Sequence, residues 1–135
     1  MPETEDAPAK LNLYLRVLGR RPDGYHDIDS VTLRVSLHDR VTVTPTDADP
    51  AIRVAVAGPG AAGVPSDEAN LAARAAAALR DALGRSEAGA VLDIEKRIPV
   101  GAGLGGGSAD AAAALRVLGR VWDATGETVR DVAIA

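Results

Sequence analysis

The chain has 135 residues, 47 % apolar and 25 % charged, which suits one compact domain and excludes a disordered or low-complexity polypeptide. With 15 Lys and Arg against 19 Asp and Glu, the net charge of −4 offers no footprint for a nucleic-acid backbone or an anionic membrane. Cys is absent, which excludes disulfides, zinc-finger sites and a thiol nucleophile. The apolar share is unusual in kind: 27 residues are Ala, aromatics make up 2 % and Phe is missing. The expected core is therefore Val, Leu, Ile and packed Ala, with helices lying close to a sheet.

The acidic start, Met1 to Pro8, is the opposite of a signal peptide and is expected as a flexible tail. No run approaches the ~18 apolar residues of a membrane span, so a cytoplasmic location is expected. From Lys10 to Val17 the chain alternates, predicting a strand with Leu11, Leu13, Leu15 and Val17 inward and Lys10, Asn12, Tyr14 and Arg16 on the other face. The cluster from Gly19 to Gly24 reads as a turn. Strands follow at 30–37, with Val31, Leu33, Val35 and Leu37 inward, and at 40–44, with Val41 and Val43 inward; His38 and Asp39 read as the turn between them. Residues 52–56 read as another strand, bounded by Pro50 and by Gly58-Pro59-Gly60.

The period then switches to helical near 69–83, where Leu71, Ala75, Ala78, Leu79 and Ala82 form the expected buried stripe and Gly84 the stop. Residues 91–98 return to strand. A glycine loop opens a second helix near 108–122, with Ser108 as expected cap and Ala111, Ala114, Leu115, Leu118 and Trp122 buried. Thr128 to Asp131 has the spacing of a capping box for a short helix running to Ala135. Strands first, then α, β, α, predict an α+β fold: a mainly antiparallel sheet with helices on one face.

The strongest chemical signal is the run Pro99-Val100-Gly101-Ala102-Gly103-Leu104-Gly105-Gly106-Gly107-Ser108-Ala109. Five glycines in seven positions let a backbone approach a ligand closely, and successive N–H groups at a helix N-terminus suit phosphate. Residues 101–106 match Gly-x-Gly-x-x-Gly, but the preceding strand carries Asp93, Glu95, Lys96 and Arg97, and no later strand offers the acid of a dinucleotide site. A Walker loop is excluded because no Lys precedes Ser108.

Three segments in one order, Pro8 to Leu13, Arg21 to His26 and Lys96 to Ala112, resemble the GHMP kinase superfamily, and within it the kinases of cytidyl-linked methylerythritol. The resemblance runs from about Ala7 to Ala135. It implies the N-terminal fold of that superfamily, shared with ribosomal protein S5 domain 2, over residues 9–135. It further implies ATP with Mg²⁺, phosphorylation of the 2-hydroxyl of 4-diphosphocytidyl-2-C-methyl-D-erythritol, and a place in the methylerythritol phosphate route to isoprenoids. By the same resemblance Lys10 is the active-site lysine, while Asn12, Tyr25 and His26 contact the substrate, the last two at its cytosine. Lys96 and the run from Pro99 to Ala109 border ATP.

No protein ligand for a metal is assigned, and neither nucleic acid nor membrane is expected as a partner. The family's catalytic aspartate is expected beyond Ala135, together with a C-terminal domain, which makes the chain an N-terminal domain expected to be inactive alone. Arg16, Asp29 and Asp110 carry no assigned role, beyond Asp110 favouring the helix dipole in a first turn. Another GHMP kinase, such as a mevalonate or homoserine kinase, is disfavoured by Gly24-Tyr25-His26 and the triple glycine before Ser108. A non-catalytic phosphate- or RNA-binding module of the same fold is disfavoured by the acidic pI of 5.1.

Overall fold

The computed structural model describes residues 1–47 and 49–134. Its elements are β1 (Glu3–Arg20), β2 (His26–Thr46), β3 (Ile52–Ala57), α1 (Leu71–Ala82), β4 (Gly89–Glu95), α2 (Gly106–Val121) and α3 (Gly126–Ile134). The sheet order is β1-β2-β4-β3; the first two pairings are antiparallel and β3 runs parallel to β4. The α+β expectation of a mainly antiparallel sheet holds.

The core forms where alternation and helical period meet. Val41 and Val43 of β2 and Leu92 and Ile94 of β4 point to the helices, while Arg40, Asp93 and Glu95 point away. Against them lie Leu115 and Leu118 of α2 and Trp122 at its C-cap, as expected, and Leu79 of α1. Between the bulky groups sit alanines with no exposed surface, among them Ala72, Ala76, Ala113 and Ala114, which let the helices approach the sheet. The α1 stripe is displaced from the expected one: Ala72, Ala73, Ala76 and Leu79 are buried, whereas Leu71, Ala78 and Ala82 are exposed and Ala75 is half-buried. In a helix so rich in Ala, apolar spacing leaves the face undetermined, and the contact with α2 selects it.

Several boundaries differ from expectation for identifiable reasons. Glu3 to Pro8 are strand, not a tail: they pair with β2, Ala7 is fully buried, and Arg116 of α2 donates to Glu5 at 2.9 Å. His38 and Asp39 make no turn, because β2 runs unbroken from His26 to Thr46. β4 ends at Glu95, since the N–H groups of Arg97 and Ile98 donate to the Asp39 carboxylate. Ser108 lies inside the first turn of α2, whose cap position is Gly105. For α3 the Thr125 hydroxyl accepts from Thr128 N–H at 3.2 Å, one turn earlier than the expected box, and the expected stop at Ala135 lies outside the described residues.

The largest difference concerns the β1–β2 hairpin. Leu11, Leu13, Leu15, Val17, Val31, Leu33 and Leu37, all expected inward, are exposed, and Val35 is half-buried. Alternation is real, but the hairpin continues past the helix layer, and its register shifts at three points between Pro8 and Gly19. The result is an apolar ribbon that, among the described residues, no helix covers. Leu118→Ala is accordingly expected to cost about 2–5 kcal/mol, whereas Leu13→Ala should change stability by no more than about 0.5 kcal/mol. Urea unfolding of the two variants checks this, and comparable losses would place the hairpin in the core.

Candidate nucleotide site

The glycine loop follows β4 and runs into α2. Gly101, Gly103 and Gly105 have φ of 74°, 75° and 70°, a left-handed backbone that a side chain strains. Recurring at alternate residues, this conformation turns successive N–H groups toward one concavity. Gly105 occupies the N-cap of α2 and supplies no side-chain hydrogen bond, so the first amides of the helix are left without a side-chain acceptor. An anion is the natural complement to those amides and to the helix dipole.

A cavity of about 440 Å³ opens over this loop. Lys96 and every residue from Pro99 to Ser108 line it, so the positions expected to border ATP converge on one space, with the exception of Ala109, which is not among the lining residues. Sequence reasoning missed the opposite wall, formed by Gly63 to Pro65 and Ala69 to Leu71. Asn70 holds that wall: its side chain accepts from Ala72 N–H at 2.9 Å to cap α1 and donates to the Pro65 carbonyl at 2.8 Å. The Ser/Thr/Asn/Asp bias of helix caps is the signal that could have found it.

Lys10 approaches the loop from the other side. Its N–H donates to the Leu104 carbonyl at 3.0 Å, and a Cβ on Gly105 would stand 3.1 Å from the Lys10 side chain. Asn12, two residues along, accepts from the Thr32 hydroxyl at 3.0 Å. Tyr25 and His26 lie at the hairpin turn, both exposed, with Tyr25 N–H donating to the Asp23 carboxylate at 3.0 Å. Neither lines the cavity. His38 stays in β2, its Nδ1 2.8 Å from the Ser36 carbonyl.

Beneath the loop is a buried ionic cluster. Lys96 shares strand parity with Leu92, Ile94 and Ile98, and its ammonium lies between the carboxylates of Asp39 and Asp110, the latter at 2.8 Å. The three side chains are at most 4 % exposed. Lys96 thus lines the cavity with its ammonium engaged by two carboxylates, and Asp110, outside the first turn of α2, sits in an ion pair in place of the expected role at the helix dipole. Register could have revealed Asp39: Arg40 pairs with Glu95, which places Asp39 opposite Lys96, two opposite charges at inward positions. One oxygen remains unmatched, for Asp110 Oδ1 is buried without a hydrogen-bond partner. Burial pushes the Asp110 carboxyl up to about 6 against the hydrogen bond and charge of Lys96, and the neighbouring Asp39 adds to the rise. Burial also opposes charge on Lys96, but its hydrogen bonds to Asp110 and Asp39 prevail and hold its pKa above the usual lysine value.

No group of three or more His, Asp or Glu able to hold a metal ion occurs among the described residues. Nor, among them, is any helix long and apolar enough to cross a membrane.

The Asp110 value has a definite consequence. Between pH 3.8, its usual pKa, and about 6, the folded chain holds a proton there that the unfolded chain has released. Stability from this group therefore falls as pH rises across that window and stays at the lower level above it. Denaturant unfolding of the wild type and of Asp110→Asn should show the wild type losing ground to the variant from pH 4 to 6, with a constant difference from pH 7 to 8. A difference independent of pH throughout would mean that Asp110 ionises normally.

Residues 70–135 match the family described as GHMP kinases N terminal domain. The chain is 48 % identical over 134 residues to the 4-diphosphocytidyl-2-C-methyl-D-erythritol kinase of Salinibacter ruber, covering 98 % of this chain and 45 % of that protein. It is 54 % identical over 114 residues to the kinase of the same name from Symbiobacterium thermophilum, covering 84 % and 38 %. A crystal structure of 4-(cytidine 5'-diphospho)-2C-methyl-D-erythritol kinase superposes with a TM-score of 0.70 at 38 % identity, over 96 % of this chain and 46 % of the other. Homoserine kinase from Cytophaga hutchinsonii superposes at 0.73 with 20 % identity, a likeness of fold alone. The chain spans less than half the length of these relatives. With the glycine loop, the strand order and these likenesses in agreement, the chain carries the GHMP kinase N-terminal domain.

Proposed function

We propose that the chain forms the ATP side of a small-molecule kinase that phosphorylates the 2-hydroxyl of 4-diphosphocytidyl-2-C-methyl-D-erythritol in the methylerythritol phosphate route to isoprenoids, in the cytoplasm. The observation that carries this reading is the alternating left-handed glycine backbone ahead of a helix with no side-chain cap, with a lysine packed against its last member. Two relatives that match most of the chain carry the name of that kinase.

The division of labour follows from placement. Amides of Gly101 to Ser108 donate to the triphosphate oxygens, and the apolar wall at Val64, Pro65 and Leu71 gives the base of a nucleotide an apolar surface to lie on. When bound, ATP supplies the phosphoryl group and Mg²⁺ neutralises its oxygens; the Ser108 hydroxyl in the first turn of α2 is the side chain here that suits either. Lys10 brings the cation that offsets charge on the phosphoryl in transit and favours ionisation of the acceptor hydroxyl. Asn12 shares its strand, held by Thr32, and orients the acceptor. Tyr25 and His26 offer an exposed ring to stack on cytosine and a ring nitrogen for the base edge.

The same geometry lacks a base. Among the described residues lining the cavity Asp110 is the one carboxylate, and it is bound to Lys96. This chain by itself is therefore expected to bind MgATP without turning over the cytidyl-erythritol substrate, because a general base contributes about 10²–10⁴-fold. In a full-length protein carrying the chain, Lys10→Ala should lower ATP-dependent phosphorylation by about 10²–10³-fold with a small effect on ATP affinity. Activity within a few-fold of wild type would remove Lys10 from the reaction. Absence of any ATP binding by the wild type would remove the reading as a whole.

A further inference from the structure

Asp39 lies outside the loop and outside the cavity lining, yet it is a fully buried charge that the proposed reaction does not use. Its two oxygens are divided. Oδ1 accepts from the N–H groups of Arg97 and Ile98, the residues just before Pro99 where the glycine loop begins. Oδ2 accepts from the Lys96 ammonium, which also donates to Asp110 on α2. The far end of the loop rests on that same ammonium: a Cβ on Gly106 would stand 3.1 Å from Lys96 Nζ and 3.1 Å from Ile98 Cγ2. A single carboxylate on β2 thereby holds the backbone entering the loop and, through Lys96 and Asp110, the helix leaving it.

A segment with five glycines has little conformational preference of its own, so its shape depends on how its ends are held. Stability alone does not account for three buried ions, since apolar side chains of equal volume commonly serve a core as well. Their hydrogen bonds have direction, and direction is what an array of amides aimed at phosphate requires. We propose that Asp39 is a positioning residue for the polyphosphate: by tying both ends of the glycine loop to β2 it keeps the loop in its anion-accepting form. This rests on the proposed nucleotide reading for the identity of the ligand, although the tether itself does not.

Two variants separate the two oxygens' roles. Asp39→Asn keeps an acceptor for Arg97 and Ile98 but removes the charge that holds Lys96, whereas Asp39→Ala removes both. Amide hydrogen exchange of this chain and binding of inorganic triphosphate are the measurements, with exchange in the core strand β4 as internal control. In Asp39→Asn, the amides of Lys10 and Ala109, which are held by the loop carbonyls of Leu104 and Gly105 and so report on the loop, should exchange at least tenfold faster with those of Arg97 and Ile98 near wild type, and triphosphate should bind several-fold more weakly. In Asp39→Ala both ends should loosen and affinity should fall at least tenfold, while β4 changes far less than the loop. Should Asp39→Ala fail to fold, the split pattern in Asp39→Asn decides. Loop exchange and affinity within twofold of wild type in Asp39→Asn, or acceleration of loop and β4 alike, would overturn the tether. If the Lys10 and Ala109 amides are protected through Asp39 yet triphosphate does not bind, the tether stands and the nucleotide reading falls.

Discussion

A lysine ammonium buried between two carboxylates is the interaction on which the rest of this domain is arranged. Lys96 directly follows β4, Asp39 comes from β2 and Asp110 from α2, so the cluster joins the central strand pair to the helix that covers it. Desolvating such groups costs several kcal/mol per ion, recovered only where the partners are fully engaged. Removing one partner from a buried pair commonly costs about 3–5 kcal/mol, while replacing the whole set by apolar groups is often neutral. The relative position of β2, β4 and α2 is therefore specified sharply at this point, in a core otherwise made of apolar side chains whose contacts have no direction.

The cluster also sets the electrostatics below the cavity. Two carboxylates face one ammonium, and Asp110 is left with an unmatched oxygen and a carboxyl that burial, joined by the neighbouring Asp39, pushes up to about 6. Above it the loop presents the opposite sign, through amides at the start of α2 and through Lys10 against Gly105. The positive character of the site thus comes from the backbone and from a lysine on a separate strand, while the Lys96 ammonium beneath the loop is engaged in the fold. A protein with net charge −4 presents a local anion site in this way without any surface excess of basic residues.

The hairpin shows a different principle. Residues 10–17 and 30–37 alternate as cleanly as any buried strand, but period 2 reports only that two faces differ, and what covers each face depends on neighbouring elements. Here the helices stop at the level of Ala7 and Val41, and the ribbon beyond them carries Tyr25 and His26 at its tip.

Local chemistry made much of the site legible from the residues alone. Glycine spacing, Pro99 and the switch from strand to helical period located the loop, because those signals act over a few bonds and need no partner. Strand existence and the α+β order followed from the same short-range rules, and the motifs containing Lys10 and Tyr25-His26 carried the family resemblance. Tertiary structure decided the rest. Asp39 reads as a turn residue until Lys96 is set opposite it, and Lys96 reads as a strand-end lysine until Asp110 arrives from a helix 14 residues later. The face of α1, the burial of Ala7 and the exposure of Leu13 depend likewise on which surface meets which. A side chain's charge and period are properties of the chain, whereas its partner and its solvent are properties of the packing.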